Sequence, residues 1–398
     1  MKYILFLLIS ISAFSCKTRE KMINHNLSHN YNPGKEKISY DLLKTTTGIC
    51  VILKIENYKG GQYYDGDYSA YTLSYLIKEN YRSPETLFSQ TREPVSPTPE
   101  NTVQIDIPET YEGKLLILTF LNTRTNEYFE VDIPLINHEK SNFLIYKNNR
   151  INLRTFANPG DSLSIISENG KDSIFYLFHY DHLFHPALPP METRSFPGRS
   201  SLSIDTVLST RNGITFTVPL SGLYFIQSDT NTLSGKSLLV KGNKYPGITK
   251  TEEMLEPLIY ITSSKEFQQL NAQENKKKAV DQFWLNTGGS KEYTRKIIQR
   301  YYQQVELANL MFTTFKEGWK TDKGMLFILF GEPDEVYRFD NYEEWIYNDY
   351  FNSGGISFIF VKKANIFCDD HYELIRRKEY EKYWIQTMKK WRNGILVK

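Results

Sequence analysis

The sequence predicts a multidomain, β-rich chain in which two immunoglobulin-like β-sandwich modules precede an α+β domain. Three observations predict it. The chain has 398 residues, more than a single ordinary core accommodates. It carries 28 Tyr and 24 Phe, lifting the aromatic share to 14%, a bias that suits pleated surfaces. Up to about residue 248, short β-branched and aromatic runs alternate with Gly, Pro and Asn clusters; beyond that point the apolar spacing turns helical.

The first element is a leader. Met1-Lys2 is positive, residues 3–11 are apolar, and Ser12-Ala13-Phe14-Ser15-Cys16 is a small-residue cleavage site ending in cysteine. This predicts a lipoprotein signal peptide over 1–15, with Cys16 acylated after cleavage and tethering the chain to a membrane. The apolar run falls well short of the roughly 20 residues a spanning helix needs, and no later stretch is long and apolar enough to cross a bilayer. The expected location is the cell envelope, lipid-anchored at the outer membrane on its periplasmic or surface face. Residues 16–38 are polar, rich in Asn, Lys and His, and end near Pro33-Gly34, so they predict a flexible tether.

Within 39–137, strands are expected at 49–55, 68–75, 102–107, 114–121 and 128–134. Pro94, Pro97 and Pro99 make 93–100 an extended loop or an edge. Cys50 lies in an apolar run and reads as a small core residue, and the cysteines form no even framework that would imply disulfides. A second sandwich over 138–248 is expected from runs at 142–146, 151–156, 162–167, 174–178, 214–218, 222–228 and 237–241. From 249 to 398 the pattern predicts helices at 251–255, 265–284 and 291–315, strands at 325–330, 343–347, 356–361 and 372–375, and a final amphipathic helix over 377–391.

The distinctive residues cluster in this last block. Gly318-Trp319-Lys320-Thr321-Asp322 is followed by Gly331-Glu332-Pro333-Asp334 and by Trp345. Gly318 is expected to end the long helix in a left-handed conformation, Trp319 to bury a large apolar surface, and Thr321 or Asp322 to bond backbone amides at the turn into the next strand. Gly331, Pro333 and Asp334 have the chemistry of a strand-terminating turn. A structural corner is the leading reading of both motifs; an anion, sugar or peptide site is the alternative. Together with Phe283-Trp284, Tyr301-Tyr302, Ala308-Asn309, Phe312, Trp345-Ile346-Tyr347 and Trp391-Arg392, these motifs make residues 250–394 resemble the GWxTD domain family. The resemblance implies an exported, often lipid-anchored protein of Bacteroidota type, with β-rich segments ahead of the domain and no established reaction.

Candidate chemistry elsewhere has bland readings. Gly160-Asp161-Ser162-Leu163 spells the nucleophile motif of a hydrolase family, but it enters a strand in an all-β context and the expected Asp-x-x-His is absent. His179, Asp181, His182 and His185 would point to alternate faces if extended. Asp65-Gly66-Asp67 offers too few oxygens for calcium and suits a hairpin turn. No catalytic residue, metal ligand or cofactor is therefore expected. A formal net charge of only +2 gives no electrostatic case for nucleic acid. The expected partners are the membrane, through lipidated Cys16, and an envelope protein. The expected function is a non-enzymatic binding or scaffold component of the envelope. The alternatives are a peptide or glycan hydrolase using Asp322, Asp334 or Glu332, and surface capture of glycans or peptides by the aromatic-rich sandwiches.

Overall fold

Residues 25–59, 62–136, 142–167, 170, 173–193, 201–242, 244–287, 291–348 and 354–395 are described by this computed structural model; the expected leader, Cys16 and residues 17–24 lie outside them. Strand alternation builds the first sandwich. One sheet joins β1 (Lys37–Lys44), β2 (Gly48–Lys59), β3 (Gln62–Asp65) and β6 (Val103–Pro108), and the other β4 (Tyr71–Lys78), β5 (Thr86–Pro94), β7 (Leu115–Asn122) and β8 (Tyr128–Pro134). All pairings are antiparallel. Ile49, Val51, Leu53 and Ile55 share one face of β2 and pack on Leu116, Leu118, Phe120 and Ile133 of the opposing sheet. The opposite phase of β2, Cys50 and Ile52, is buried against Leu144 and Ile151 of the next module, so Cys50 is a core residue between sandwiches. The expected strand at 68–75 starts later, because Asp67 caps a single 3-10 turn over Tyr68–Ala70.

The second sandwich pairs β9 (Phe143–Lys147), β10 (Arg150–Ile151), β12 (Ser162–Ser167) and β15 (Phe216–Thr217) against β11 (Phe156–Ala157), β13 (Ile174–Tyr180), β14 (Thr206–Arg211), β16 (Gly222–Gln227) and β17 (Lys236–Val240). Phe143, Ile165, Phe175, Tyr224 and Ile226 fill its core. The single strand expected at 151–156 divides: β10 stays beside β9, while β11 crosses to the other sheet and runs parallel to β17. β14 gives little apolar signal because it is an edge strand with most side chains exposed.

The C-terminal block has α1 (Thr251–Leu255), α2 (Ser264–Asn271), α3 (Lys276–Thr287), α4 (Lys291–Phe312), α5 (Asp322–Phe330), an antiparallel sheet β18 (Glu335–Arg338), β19 (Tyr342–Tyr347), β20 (Ile356–Lys362), β21 (Tyr372–Leu374), and α6 (Glu381–Arg392). The structure corrects two expectations here. The helix expected over 265–284 is two helices, α2 started by a Ser263/Glu266 capping box and α3 by Asn275, whose side chain accepts from the Lys278 amide at 2.9 Å. The strand expected at 325–330 is helix α5. Thr321 caps it by accepting from the Gly324 amide at 3.0 Å, and all nine residues are buried, so its uniform apolar run carries no period from which helix could be told from strand.

The tether expected over 16–38 is corrected in its described part. Leu27 and Tyr31 are buried in the core of the C-terminal domain. The Leu27 amide donates to the Val336 carbonyl at 2.9 Å and the Asn26 side chain accepts from the Val336 amide at 3.0 Å, so this segment lies as a strap along the free edge of β18. Tyr31 stacks on Phe312, leans at a tilt against Trp345 and donates its hydroxyl to Glu343 at 2.8 Å.

Glu343, 0% exposed, is the centre of a buried charge cluster. Its carboxylate meets Lys323 Nζ at 3.0 Å and Arg338 Nε at 2.7 Å, and accepts from Trp345 Nε1 at 2.6 Å. Arg338 reaches on to Asp132 of the first sandwich at 2.9 Å, and Tyr81 also bonds Asp132. Burial pushes the Glu343 carboxyl up, but Lys323, Arg338 and the Trp345 donor outweigh it and hold it at about 2, below its ordinary 4.5. A depressed carboxyl contributes stability that is complete above about pH 4.5 and is lost as pH falls toward 2. The melting temperature of the native chain is therefore expected to fall through that window more steeply than that of Glu343→Gln. At neutral pH, Glu343→Gln is expected to lose about 3–5 kcal/mol in urea unfolding, because buried Lys323 loses its counter-charge and Arg338 keeps only Asp132.

Candidate functional site

The Gly318–Asp322 motif forms the corner between α4 and α5. α4 stops at Phe312, three residues short of the expected end, and Gly318 does not take a left-handed φ, so the expected glycine helix cap is corrected. Glycine is required there for close approach. A Cβ on Gly318 would lie 2.1 Å from the Ala308 carbonyl oxygen, and one on Gly324 would lie 1.9 Å from the Gly318 carbonyl oxygen. The Gly318 amide donates to Thr313 Oγ1 at 3.2 Å, and the Trp319 amide donates to Asn309 Oδ1 at 3.1 Å. Trp319 packs edge-on against Tyr260, whose hydroxyl donates to the Trp319 carbonyl at 2.9 Å. Thr321 Oγ1 donates to the Gly318 carbonyl at 2.7 Å while capping α5.

Asp322 is fully engaged. Its carboxylate accepts from the Leu374 amide at 2.7 Å and from Arg376 at 2.6 and 3.3 Å, tying the N-terminus of α5 to β21. A carboxylate at a helix start also suits the helix dipole. Gly331, with φ 78, ends α5, so the Gly331-Pro333-Asp334 turn closes a helix where a strand was expected. Asp334 then accepts from the Asn348 amide at 2.8 Å, and Tyr347 donates its hydroxyl to the Gly331 carbonyl at 3.0 Å. Trp345, wholly buried on β19, serves the charge cluster described above. The rest of the turn stands apart from Asp322: α5 separates Asp322 from Glu332 and Asp334 by roughly 14 Å of helix, too far for paired carboxylate chemistry, which needs about 5–9.5 Å. Burial raises the Glu332 carboxyl, with Lys37 and Arg300 opposing.

Beside the corner, the structure opens a cleft of about 1260 Å³ between the C-terminal domain and the loops after β13. Thr321, Asp322 and Lys323 form part of one wall. Phe315 forms an aromatic seam with Phe184 at 5.0 Å, His371 at 5.3 Å and Phe367 at 6.3 Å between ring centres. Lys323 Nζ lies 3.8 Å from the Tyr372 ring centre, and Lys316 in the same lining is lowered in pKa by burial, with Asp322 and Glu317 opposing. A cleft with aromatic walls and a few charged groups suits an elongated ligand with both apolar and polar parts.

The remaining sequence candidates are dispersed. His179 is buried on β13 with Nε2 3.0 Å from the Ser221 carbonyl, whereas His182 and His185 line the cleft. Among the described residues no group of three or more His, Cys, Asp or Glu is placed to hold a metal ion. Asp161 accepts from the Asn158 amide at 2.7 Å in the turn into β12. Asp65 pairs with Lys54 at 2.9 Å and Asp67 with Arg124 at 2.7 Å. Sequence reasoning missed Lys323, Arg338, Glu343 and Arg376 as a working set. Only Glu343 carried a signal, because it falls in the same strand phase as Trp345 and Tyr347.

Urea unfolding orders the corner residues. Thr321→Ala is expected to lose about 1 kcal/mol with the cap. Gly318→Ala is expected to lose about 3 kcal/mol or more, because the obstacle is backbone. Asp322→Ala is expected to lose about 3–5 kcal/mol by stranding Arg376.

Residues 222–393 match the family model described as the GWxTD domain, beginning within β16 of the second sandwich. No curated protein matches the chain. With its Gly318-Trp319-Lys320-Thr321-Asp322 corner inside the matched region, the chain carries a GWxTD domain over its C-terminal part.

Proposed function

We propose that this GWxTD protein is a lipid-anchored, non-enzymatic binding or scaffold component of the cell envelope, tethered through Cys16 at the outer membrane and holding its partner in the cleft beside the tryptophan corner. The observation that carries this reading is the commitment of Asp322. The one acid that lies both in the motif and in the cleft wall spends its carboxylate on Leu374 and Arg376, so the motif shapes the wall without supplying a free acid or base. The separation of Glu332 and Asp334 from Asp322 argues in the same direction against the hydrolase alternative.

The aromatic seam favours one refinement, capture of a polypeptide or glycan segment of an envelope partner. Ile366 is 51% exposed on the cleft lining, an apolar group offered where a partner would cover it.

Two measurements test the reading. Intact mass of the protein purified from membranes is expected to show Cys16 as an acylated first residue; an unmodified cysteine behind an uncleaved leader overturns the anchor. Detergent extraction followed by pull-down is expected to recover a stoichiometric partner that Ile366→Arg loses at an unchanged melting temperature. Repeated isolation as a lone monomer, or equal recovery by the variant, overturns the binding role of the cleft.

A further inference from the structure

Three helix ends converge at the side of the C-terminal domain opposite the cleft. Tyr293, in the first turn of α4, donates its hydroxyl to the Asn393 carbonyl just after α6 at 3.1 Å. The Arg392 guanidinium stands 5.7 Å over the Phe283 ring of α3, and a Cβ on Gly394 would collide with Tyr293 and Ile297. At these ends the exposed apolar groups are Leu285 at 63%, Ile395 at 54% and Tyr293 at 42%.

Cations surround them: Lys291, Arg295 and Lys296 on α4, and Lys389, Lys390 and Arg392 on α6. The nearby acids are Glu292, paired with Lys296 at 3.2 Å, and Glu266, paired with Arg392 at 2.7 Å, while Asp281 is exposed on α3. Lys291, Arg295 and Lys389 are exposed and pair with no carboxylate among the described residues. The surface is thus positive with apolar points, the composition that seats at a lipid headgroup layer.

The strap leaves the fold at the same end. Asn26 Nδ2 donates to the Asp334 carbonyl at 3.4 Å, just after α5, and Trp391 Nε1 of α6 donates to the Leu329 carbonyl, just before the end of α5, at 3.1 Å. Ten residue steps separate Cys16 from Asn26, a reach of at most about 35 Å. With Asn26 on the Asp334 carbonyl and His25 paired with Glu130 of the first sandwich, an acyl chain on Cys16 holds this end of the body within reach of the bilayer. Glu332, Asp334 and Glu335 also sit near the strap exit; Asp334 and Glu335 bond Asn348, and Glu332 faces Lys37 and Arg300.

We propose that the converged ends of α3, α4 and α6 form a second membrane contact, seated on the acidic phospholipid headgroups of the leaflet that holds the Cys16 acyl chain. The proposal rests on the anchoring reading and deepens it. Lys291, Arg295 and Lys389 meet lipid phosphates while Leu285 and Ile395 enter the headgroup boundary. α4 then stands away from the membrane, and because its far end, at Met311 and Phe312, lines the cleft, the cleft is held about 30 Å above the lipid.

Vesicle co-sedimentation of the body from residue 16 onward carrying Cys16→Ser separates this contact from the anchor. The unacylated body is expected to sediment with vesicles containing 30 mol% phosphatidylglycerol, in a salt-sensitive manner, and to stay in solution with pure phosphatidylcholine. Lys291→Gln/Arg295→Gln/Lys389→Gln is expected to weaken partitioning on the order of a hundredfold at an unchanged melting temperature. Leu285→Asn/Ile395→Asn is expected to weaken it as well. A body that ignores phosphatidylglycerol, or a triple variant that partitions like the native one, overturns the second contact while leaving the anchor to the mass measurement. An unmodified Cys16 with intact vesicle binding overturns the anchor alone.

Discussion

Glu343 is held as an anion in the core of the C-terminal domain, and the relative placement of three parts of the chain follows from what is needed to keep it charged there. Burying a carboxylate costs several kcal/mol even after relaxation, so each of its oxygens must find strong partners. Lys323 comes from the first turn of α5, Arg338 from β18, the indole donor from β19 and the phenol from the strap. Arg338 in turn needs Asp132, which brings the first sandwich into the arrangement. A charge that would destabilise any one module by itself is stabilised only when all of them are docked, which makes the docked state specific as well as stable.

The tryptophan corner works at shorter range by backbone crowding. The carbonyls of Ala308 and Gly318 lie where side chains at 318 and 324 would stand, so α4 and α5 approach more closely than any residue but glycine permits. Trp319 and Tyr260 cover that contact, and Asp322 locks the far side to β21. The corner thus sets the position of Lys323, one residue on, which carries its influence into the charge cluster. It also makes one wall of the cleft rigid, a favourable property for a binding surface because little ordering remains to be done on association.

Much of the β architecture was legible because a short β-branched and aromatic run bounded by Gly, Pro or Asn is a local signal. Residues 49–55 form an apolar run bounded by Gly48 and Asn57, and both phases of β2 proved buried, one inside the sandwich and one between sandwiches. The run Met325–Phe330 was not legible in the same way. Six consecutive apolar residues satisfy a buried strand and a buried helix equally, and the deciding information lay upstream in the Thr321 cap. The corner residues could be picked out by type, yet the reason for Gly318 could not, since it depends on the Ala308 carbonyl of a neighbouring helix. The strap was read as tether because residues 25–38 are polar overall; its two anchors, Leu27 and Tyr31, are single side chains whose burial is set by partners about three hundred residues away. Pairings of that range leave no local trace.

That separation bears on the order in which the protein can be finished. The strap is made early and its seat on β18 and β19 late, with Tyr31 and Glu343 312 positions apart. During synthesis both sandwiches can close before the seat of Leu27 and Tyr31 exists, since loop closure over such a distance waits for β18 and β19. Docking of the strap is then a signal that the C-terminal sheet has been made: a chain truncated ahead of β18 leaves its leading segment open to proteases, and a product that carries β18 and β19 conceals it.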